Sequence, residues 1–270
     1  FAATDADKCY AARTVGWLRK IFPNTEFDYV NAGIGATNSQ FGAARVQEDL
    51  LRRLPDLVMV EFSVNDHSTP HDMETYEGLV RQIYDSSSCP AMVLLHSVYY
   101  DTGKSAAYYH AQIGRHYDLP CISMQNSIYP AVAAGKLPAE KITADFLHPN
   151  DLGHEFMASV ITNFLEKVIH DKTEEQQETF PEPLTENAYE HCVRLQYFNS
   201  TPEKSGFVED MTPQRDITDI FRNGWSAGEK GAYLEFAFRG TSAAVQYRRV
   251  KEGPAPIATA VVDENSETAC

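Results

Sequence analysis

Apolar positions recur at helical spacing over residues 7–22, where Cys9, Val15, Leu18, Ile21 and Phe22 line one side ahead of Pro23. This predicts a helix at the very start of the chain, with Thr4 or Asp5 as its N-cap. Further helices are predicted over 40–54, 74–87 and 104–117, with a short helical piece over 128–134. Leu152, Phe156, Ile161, Phe164, Leu165 and Val168 form the core stripe of a last, long one. Between these helices lie runs of strand length, at 27–31, 57–62, 91–97 and 120–124. The run Leu57-Val58-Met59-Val60-Glu61-Phe62 is almost continuously apolar, the pattern of a strand buried on both faces of a parallel sheet. Strand and helix therefore alternate to about residue 170, which predicts a doubly wound, mostly parallel α/β domain over 1–170. Such sheets normally begin with a central strand ahead of the first helix. That strand is expected upstream of Phe1, since a sheet without its centre leaves backbone amides unpaired.

Past residue 170 the pattern changes. Residues 171–186 are acidic, Gln-rich and broken by Pro, the composition of a linker. Leu234-Glu235-Phe236-Ala237-Phe238 then alternates with period two, Val245-Gln246-Tyr247 continues it, and 258–262 is a further apolar run before the turn-like 263–266. Residues 187–270 are thus expected to be a β-rich accessory domain, a β-sandwich short of its full strand number.

The 270 residues are 43% hydrophobic and 11% aromatic, enough for one large core and a smaller one. The formal net charge of −15 argues against a nucleic-acid partner, which would need clustered Lys and Arg. No apolar run is long enough to span a bilayer, so no membrane partner is expected. The five cysteines, Cys9, Cys89, Cys121, Cys192 and Cys270, are scattered, odd in number and without CxxC spacing. They read as mostly buried thiols of a reducing compartment and favour a cytoplasmic location, although Phe1 need not be the natural start.

The strongest chemical signal is Asp145-Phe146-Leu147-His148-Pro149, a carboxylate and an imidazole three residues apart at the mouth of the long helix. An imidazole is the side chain best suited to move a proton near neutrality, and a carboxylate fixes its tautomer. Two other segments fall where strands end on the same sheet edge, the edge at which open α/β sheets bind ligands. They are Asn31-Ala32-Gly33-Ile34-Gly35-Ala36 and Ser63-Val64-Asn65-Asp66. Taken singly, Asn65, Gly33 and Gly35 are ordinary turn formers, and a DxxH spacing arises often by chance. His67, His71, Asp66 and Asp72 have metal-ligating side chains, but their Ser, Thr and Pro company suits a solvated loop, and neither metal nor cofactor is expected. Trp225, Tyr233 and Tyr247 suit sugar stacking or, more often, edge and core packing.

Taken together, in this order and spacing, the three segments resemble the SGNH (GDSL-like) hydrolase family over roughly the first 170 residues. The resemblance implies a flavodoxin-like fold and a cofactor-free serine esterase. It makes His148 the general base and Asp145 its orienting carboxylate. Asn65 becomes an oxyanion-hole side chain. The position whose amide completes the hole, Gly in the family, falls on Ala36, with Gly35 beside it. The family's first block, Gly-Asp-Ser-Leu/Ile, has no match, so the nucleophilic serine is expected upstream of Phe1, on the strand the sheet lacks. Ser39 and Ser63 lie near the site but lack the strand-to-helix exposure of a nucleophile. The 270-residue chain alone is therefore expected to be inactive. The reaction expected of the whole protein is hydrolysis of a small acyl ester, above all of an O-acetylated glycan. The alternative is a glycan-binding or scaffold protein on the same fold.

Overall fold

The computed structural model describes residues 4–171, 180–211, 221–248 and 257–262. The chain divides into two units, 1–195 and 196–270.

In the first unit α1 (Tyr10–Ile21) follows a 3-10 turn, and the Cys9 Sγ caps it by accepting the Ala12 amide at 3.4 Å. Asp5 caps the preceding turn instead. Next come α2 (Ser39–Asp49), β1 (Leu57–Val60), α3 (Pro70–Tyr84), β2 (Ala91–His96), α4 (Ala107–His116) and β3 (Cys121–Ser123). Two short helices, α5 (Met124–Ser127) and α6 (Tyr129–Ala133), lead to the long α7 (Asp151–His170).

The three strands lie in the order β1-β2-β3, all parallel, with Leu57 opposite Ala91 and Leu94 opposite Cys121. Because a strand alternates its faces, β2 feeds two cores. Met92 and Leu94 pack with Val58, Val60, Ala43, Val46, Leu79, Val80, Ile83 and Ile113, so α2, α3 and α4 cover one face. Val93 and Leu95 pack with Ile122, Met157, Ile161 and Leu165 and against Trp17, which places α1 and α7 on the other. This is the doubly wound arrangement that the alternating pattern predicts, with all strands ending at one edge.

Three expectations need correction. Residues 27–31 form no strand: the Phe27 carbonyl accepts from Arg19 Nη2 at 3.0 Å and the Tyr29 hydroxyl meets Cys9 Sγ at 3.7 Å, so side chains tie this stretch to α1. The helix expected to begin at 104 begins at Ala107, because the Ala106 amide is held by the Ser63 carbonyl at 2.7 Å. Of the stretch read as linker, 172–179 lies outside the described residues, but 180–186 is packed. Leu184 and Thr185 place their amides on the Glu77 carboxylate of α3, at 2.6 and 2.8 Å. Phe180 stacks on Tyr84 with centroids 4.7 Å apart, and Arg81 of α3 donates to the Pro181 carbonyl at 2.8 Å. The strap continues to Glu190, whose carboxylate lies 3.0 Å from Arg81 Nε, and the first unit runs on to Leu195.

The second unit contains β4 (Glu203–Ser205), β5 (Phe207–Glu209), β6 (Trp225–Ala227) and β7 (Tyr233–Glu235). They form two antiparallel ladders, β4 with β7 and β5 with β6, and the described residues do not assemble into two facing sheets. Residues 245–247 and 257–262 carry no continuous strand, and 263–266 lies outside the described residues. Trp225 packs edge-on against Phe236 at 5.4 Å, while Tyr233 and Tyr247 are exposed.

The four described cysteines are free thiols, but only Cys9 is buried; Cys89 and Cys121 are exposed, against the expectation of mostly buried thiols. No helix among the described residues is long and apolar enough to cross a membrane.

Candidate active site

The Asp145–His148 turn is fixed from below. Asn150 caps α7 by accepting the Leu152 and Gly153 amides, both at 3.1 Å, and donates its own Nδ2 to the Lys141 carbonyl at 3.0 Å. Gly153 is required here, since a Cβ would stand 2.2 Å from the Ile142 carbonyl oxygen. A bridge between Thr143 and Pro149 closes the base of the loop. At its tip Phe146 takes a left-handed conformation, φ +63°, and its carbonyl accepts the Tyr100 amide at 2.8 Å.

Within this loop Asp145 Oδ1 accepts the backbone amides of Leu147 at 3.1 Å and His148 at 2.7 Å. Its Oδ2 lies 2.6 Å from His148 Nδ1. A carboxylate only accepts, so Nδ1 carries the proton and Nε2 is left as the basic nitrogen. Hydrogen bonds from the imidazole, then from the His148 and Leu147 amides, hold the Asp145 carboxyl well below the usual carboxylate range, against a small effect of burial. Both side chains remain about half exposed.

Asn65 lies in the turn that leaves β1, where the Phe62 carbonyl accepts both the Asn65 and the Asp66 amide at 2.9 Å. The half-buried Asn65 carboxamide makes no hydrogen bond with the described residues. Tyr99 reaches from the loop after β2 and donates its hydroxyl to the Val64 carbonyl at 3.1 Å. The next residue, Tyr100, holds Phe146. The Asn65 turn and the His148 loop are thus joined through two successive residues at the C-terminal ends of β1 and β2.

Ala36 ends the glycine-bearing loop with φ +58°, the left-handed region that favours glycine, whereas Gly35 beside it has no such angle. The loop is pinned by Arg45 Nη2 on the Ala32 carbonyl at 2.7 Å and by the Ser39 amide on Asp66 Oδ1 at 2.9 Å.

The serines considered as nucleophiles are both committed elsewhere. Ser39 is buried, its Oγ 2.6 Å from Thr75 Oγ1. Ser63 is also buried; its Oγ meets Glu61 Oε1 at 2.7 Å and accepts the Ser97 amide at 2.7 Å. Asp66 and Asp72 are likewise engaged, Asp66 by Ser39 and His110 and Asp72 by Thr69, while His71 sits 3.5 Å from Gln40 Oε1. No group of three or more described His, Cys, Asp or Glu residues could hold a metal.

Sequence reasoning missed a buried polar cluster beneath the site. His110 Nε2 of α4 and Asp66 Oδ2 are in hydrogen-bond contact at 2.9 Å, both side chains fully buried. Tyr76 stacks flat on His110, centroids 3.7 Å apart and planes within 5°. Burial pushes the His96 imidazole down to about 4, assisted by His110. Burial also raises the Glu61 carboxyl, opposed by hydrogen bonds from Ser63. The signal was present: Ala107, His110, Ile113 and Gly114 share a helical face, so His110 sits at a core position, as Glu61 does within an apolar run.

Residues 2–156 match the GDSL-like lipase/acylhydrolase family. The crystal structure of a two-domain esterase active on acetylated mannans is 51% identical, with a TM-score of 0.80 over 85% of this chain and 62% of that one. The structure of such an esterase co-crystallised with mannopentaose is 50% identical, with a TM-score of 0.78 over 85% of this chain and 61% of that one. The chain thus spans less than two thirds of the length of these relatives. No curated protein matches. The Asp145–His148 pair, the Asn65 turn and the glycine-bearing loop therefore stand on the sheet edge of a chain that belongs to the GDSL-like lipase/acylhydrolase family.

Proposed function

We propose that the protein is a serine carbohydrate O-acetyl esterase that removes acetyl groups from a mannan-type glycan. The observation that carries this reading is the 2.6 Å contact of His148 Nδ1 with Asp145, which leaves Nε2 as a base on the edge shared with Asn65. The choice of acetylated mannan is supported by the half-identical esterase active on that substrate. In this reading His148 Nε2 takes the proton of a serine hydroxyl as its oxygen attacks the acetyl carbonyl carbon. Asn65 Nδ2 and the Ala36 amide receive the oxyanion. The intermediate then collapses: the bond to the sugar oxygen breaks, and His148 returns the proton to that leaving oxygen. Water, deprotonated by the same nitrogen, releases acetate and restores the serine. No metal or organic cofactor takes part.

With Ser39 and Ser63 buried and hydrogen-bonded, we assign the nucleophile to a serine outside these 270 residues. The test is acetate release from acetylated mannan by the full-length protein. His148→Ala should lower the rate at least 1,000-fold. Mannooligosaccharide binding with no acetate release by the unaltered protein would favour the glycan-binding alternative.

A further inference from the structure

We propose that Asp66 and His110 are positioning residues that lock the two oxyanion-stabilising loops into one frame. The inference rests on the esterase reading above and adds to it two residues that touch no substrate.

Asp66 follows Asn65 directly, and its carboxylate is the junction of three elements. Oδ1 accepts the amide of Ser39, the first residue of α2 and three residues after Ala36, at 2.9 Å. Oδ2 accepts from His110 Nε2 at 2.9 Å, which ties the same turn to α4. Its backbone amide closes the turn onto the Phe62 carbonyl. The residue that supplies the side-chain donor and the loop that supplies the backbone donor are therefore bridged by one carboxylate, itself fully buried.

His110 gives that carboxylate a fixed address. Its side chain is fully buried, and the flat stack of Tyr76 at 3.7 Å leaves the ring no room to tilt. Tyr76 is wholly buried in α3, so the orientation of Nε2 is set by the packing of α3 on α4. A buried carboxylate is strongly disfavoured unless fully hydrogen-bonded. The arrangement of Asp66, Ser39 and His110 is thus maintained as a unit. An oxyanion hole depends on donors held in advance at the place where charge develops, so loss of this unit should act on the transition state far more than on substrate binding.

The experiment uses the full-length protein and an acetyl ester, with kcat and KM measured separately. Asp66→Ala should lower kcat about 50- to 100-fold with KM within twofold. Asp66→Asn, which can still accept the Ser39 amide, should retain at least ten times the kcat of the alanine variant. His110→Gln, whose Nε2 can donate to Asp66, should likewise exceed His110→Ala. If the alanine variants do not fold, the Asn and Gln variants still decide: each should lower kcat several-fold at unchanged KM. Variants that shift only the melting temperature, or raise KM at constant kcat, overturn the positioning role. An unaltered protein that releases no acetate, or a His148→Ala variant as active as the unaltered one, sinks the esterase reading itself, a distinguishable result.

Discussion

Asp145 holds His148 at both ends: Oδ1 accepts the His148 backbone amide at 2.7 Å while Oδ2 accepts from its imidazole Nδ1 at 2.6 Å. One carboxylate thereby sets the main chain of the loop and the tautomer of the base.

Asp145→Ala removes both restraints, and in the full-length protein it should lower kcat about 1,000-fold or more. Because the carboxyl is held well below the usual range, Asp145 stays ionised throughout mild acid. Asp145 itself should add no limb to the kcat/KM profile between pH 4 and 9. A second acid limb in that window that disappears in Asp145→Asn would contradict this. Steady-state rates against pH provide the measurement.

The proposed oxyanion donors, Asn65 and Ala36, separate in a different way. Asn65→Ala should lower kcat by about 100- to 1,000-fold, on the order of 3–4 kcal/mol of barrier, with little change in KM. At Ala36, φ +58° is tolerable for alanine but not for a β-branched residue. Ala36→Gly should keep the rate within about threefold, and Ala36→Val should lose at least tenfold in kcat. Equal activity of the two variants would remove Ala36 from the site.

One buried imidazole contributes to acid stability. His96 is pushed by burial down to about 4, while in the unfolded chain it titrates near 6.5. At this site the unfolded state therefore binds more protons in this interval. The stability His96 contributes is fully present above about pH 6.5 and is lost as pH falls toward 4, by on the order of 3 kcal/mol. Urea unfolding at a series of pH values should show this slope, and His96→Leu should flatten it. An unchanged slope would mean that His96 is not neutral in the fold.

Glu77 anchors the strap. Burial alone would raise its carboxyl, but hydrogen bonds from Thr185, Tyr117 and the Leu184 and Thr185 amides hold it below its ordinary value. Glu77→Ala strands these donors and should destabilise the first unit by about 3–5 kcal/mol. Limited proteolysis should then cut within 180–195 before elsewhere; protection equal to that of the unaltered chain would show the strap held by other contacts.

The legible parts of this fold are those in which side chains alone decide the outcome. The stripe of Ile161, Phe164, Leu165 and Val168 predicts α7, and the almost continuous apolar run over 57–62 predicts the parallel strand β1. Asp145 and His148 stand close enough in sequence to be read as a pair. Where backbone groups decide, the sequence misleads. Residues 27–31 have strand composition, but a strand exists only through a paired neighbour, and here the partners are side chains of α1. Acidic, Pro-broken composition suggested a linker up to 186, yet the amides of Leu184 and Thr185 bind one buried glutamate. Asp66, Glu77 and His110 are polar letters in helical or turn context. The apolar face around His110 marks it as a core position, but the partners that accompany its burial and that of Asp66 and Glu77 come from three-dimensional pairing that no periodicity encodes.

The strap sets where this polypeptide can be divided. A chain ended at His170, where composition closes the α/β half, would delete the Leu184 and Thr185 partners of the wholly buried Glu77 carboxylate and strip the Pro181 carbonyl and the Phe180 ring from Arg81. Those two charges would face an uncovered apolar surface on α3, so such a piece should be recovered as insoluble or self-associating protein. The smallest excisable α/β unit therefore extends to Leu195, some twenty-five residues past the last helix of the sheet.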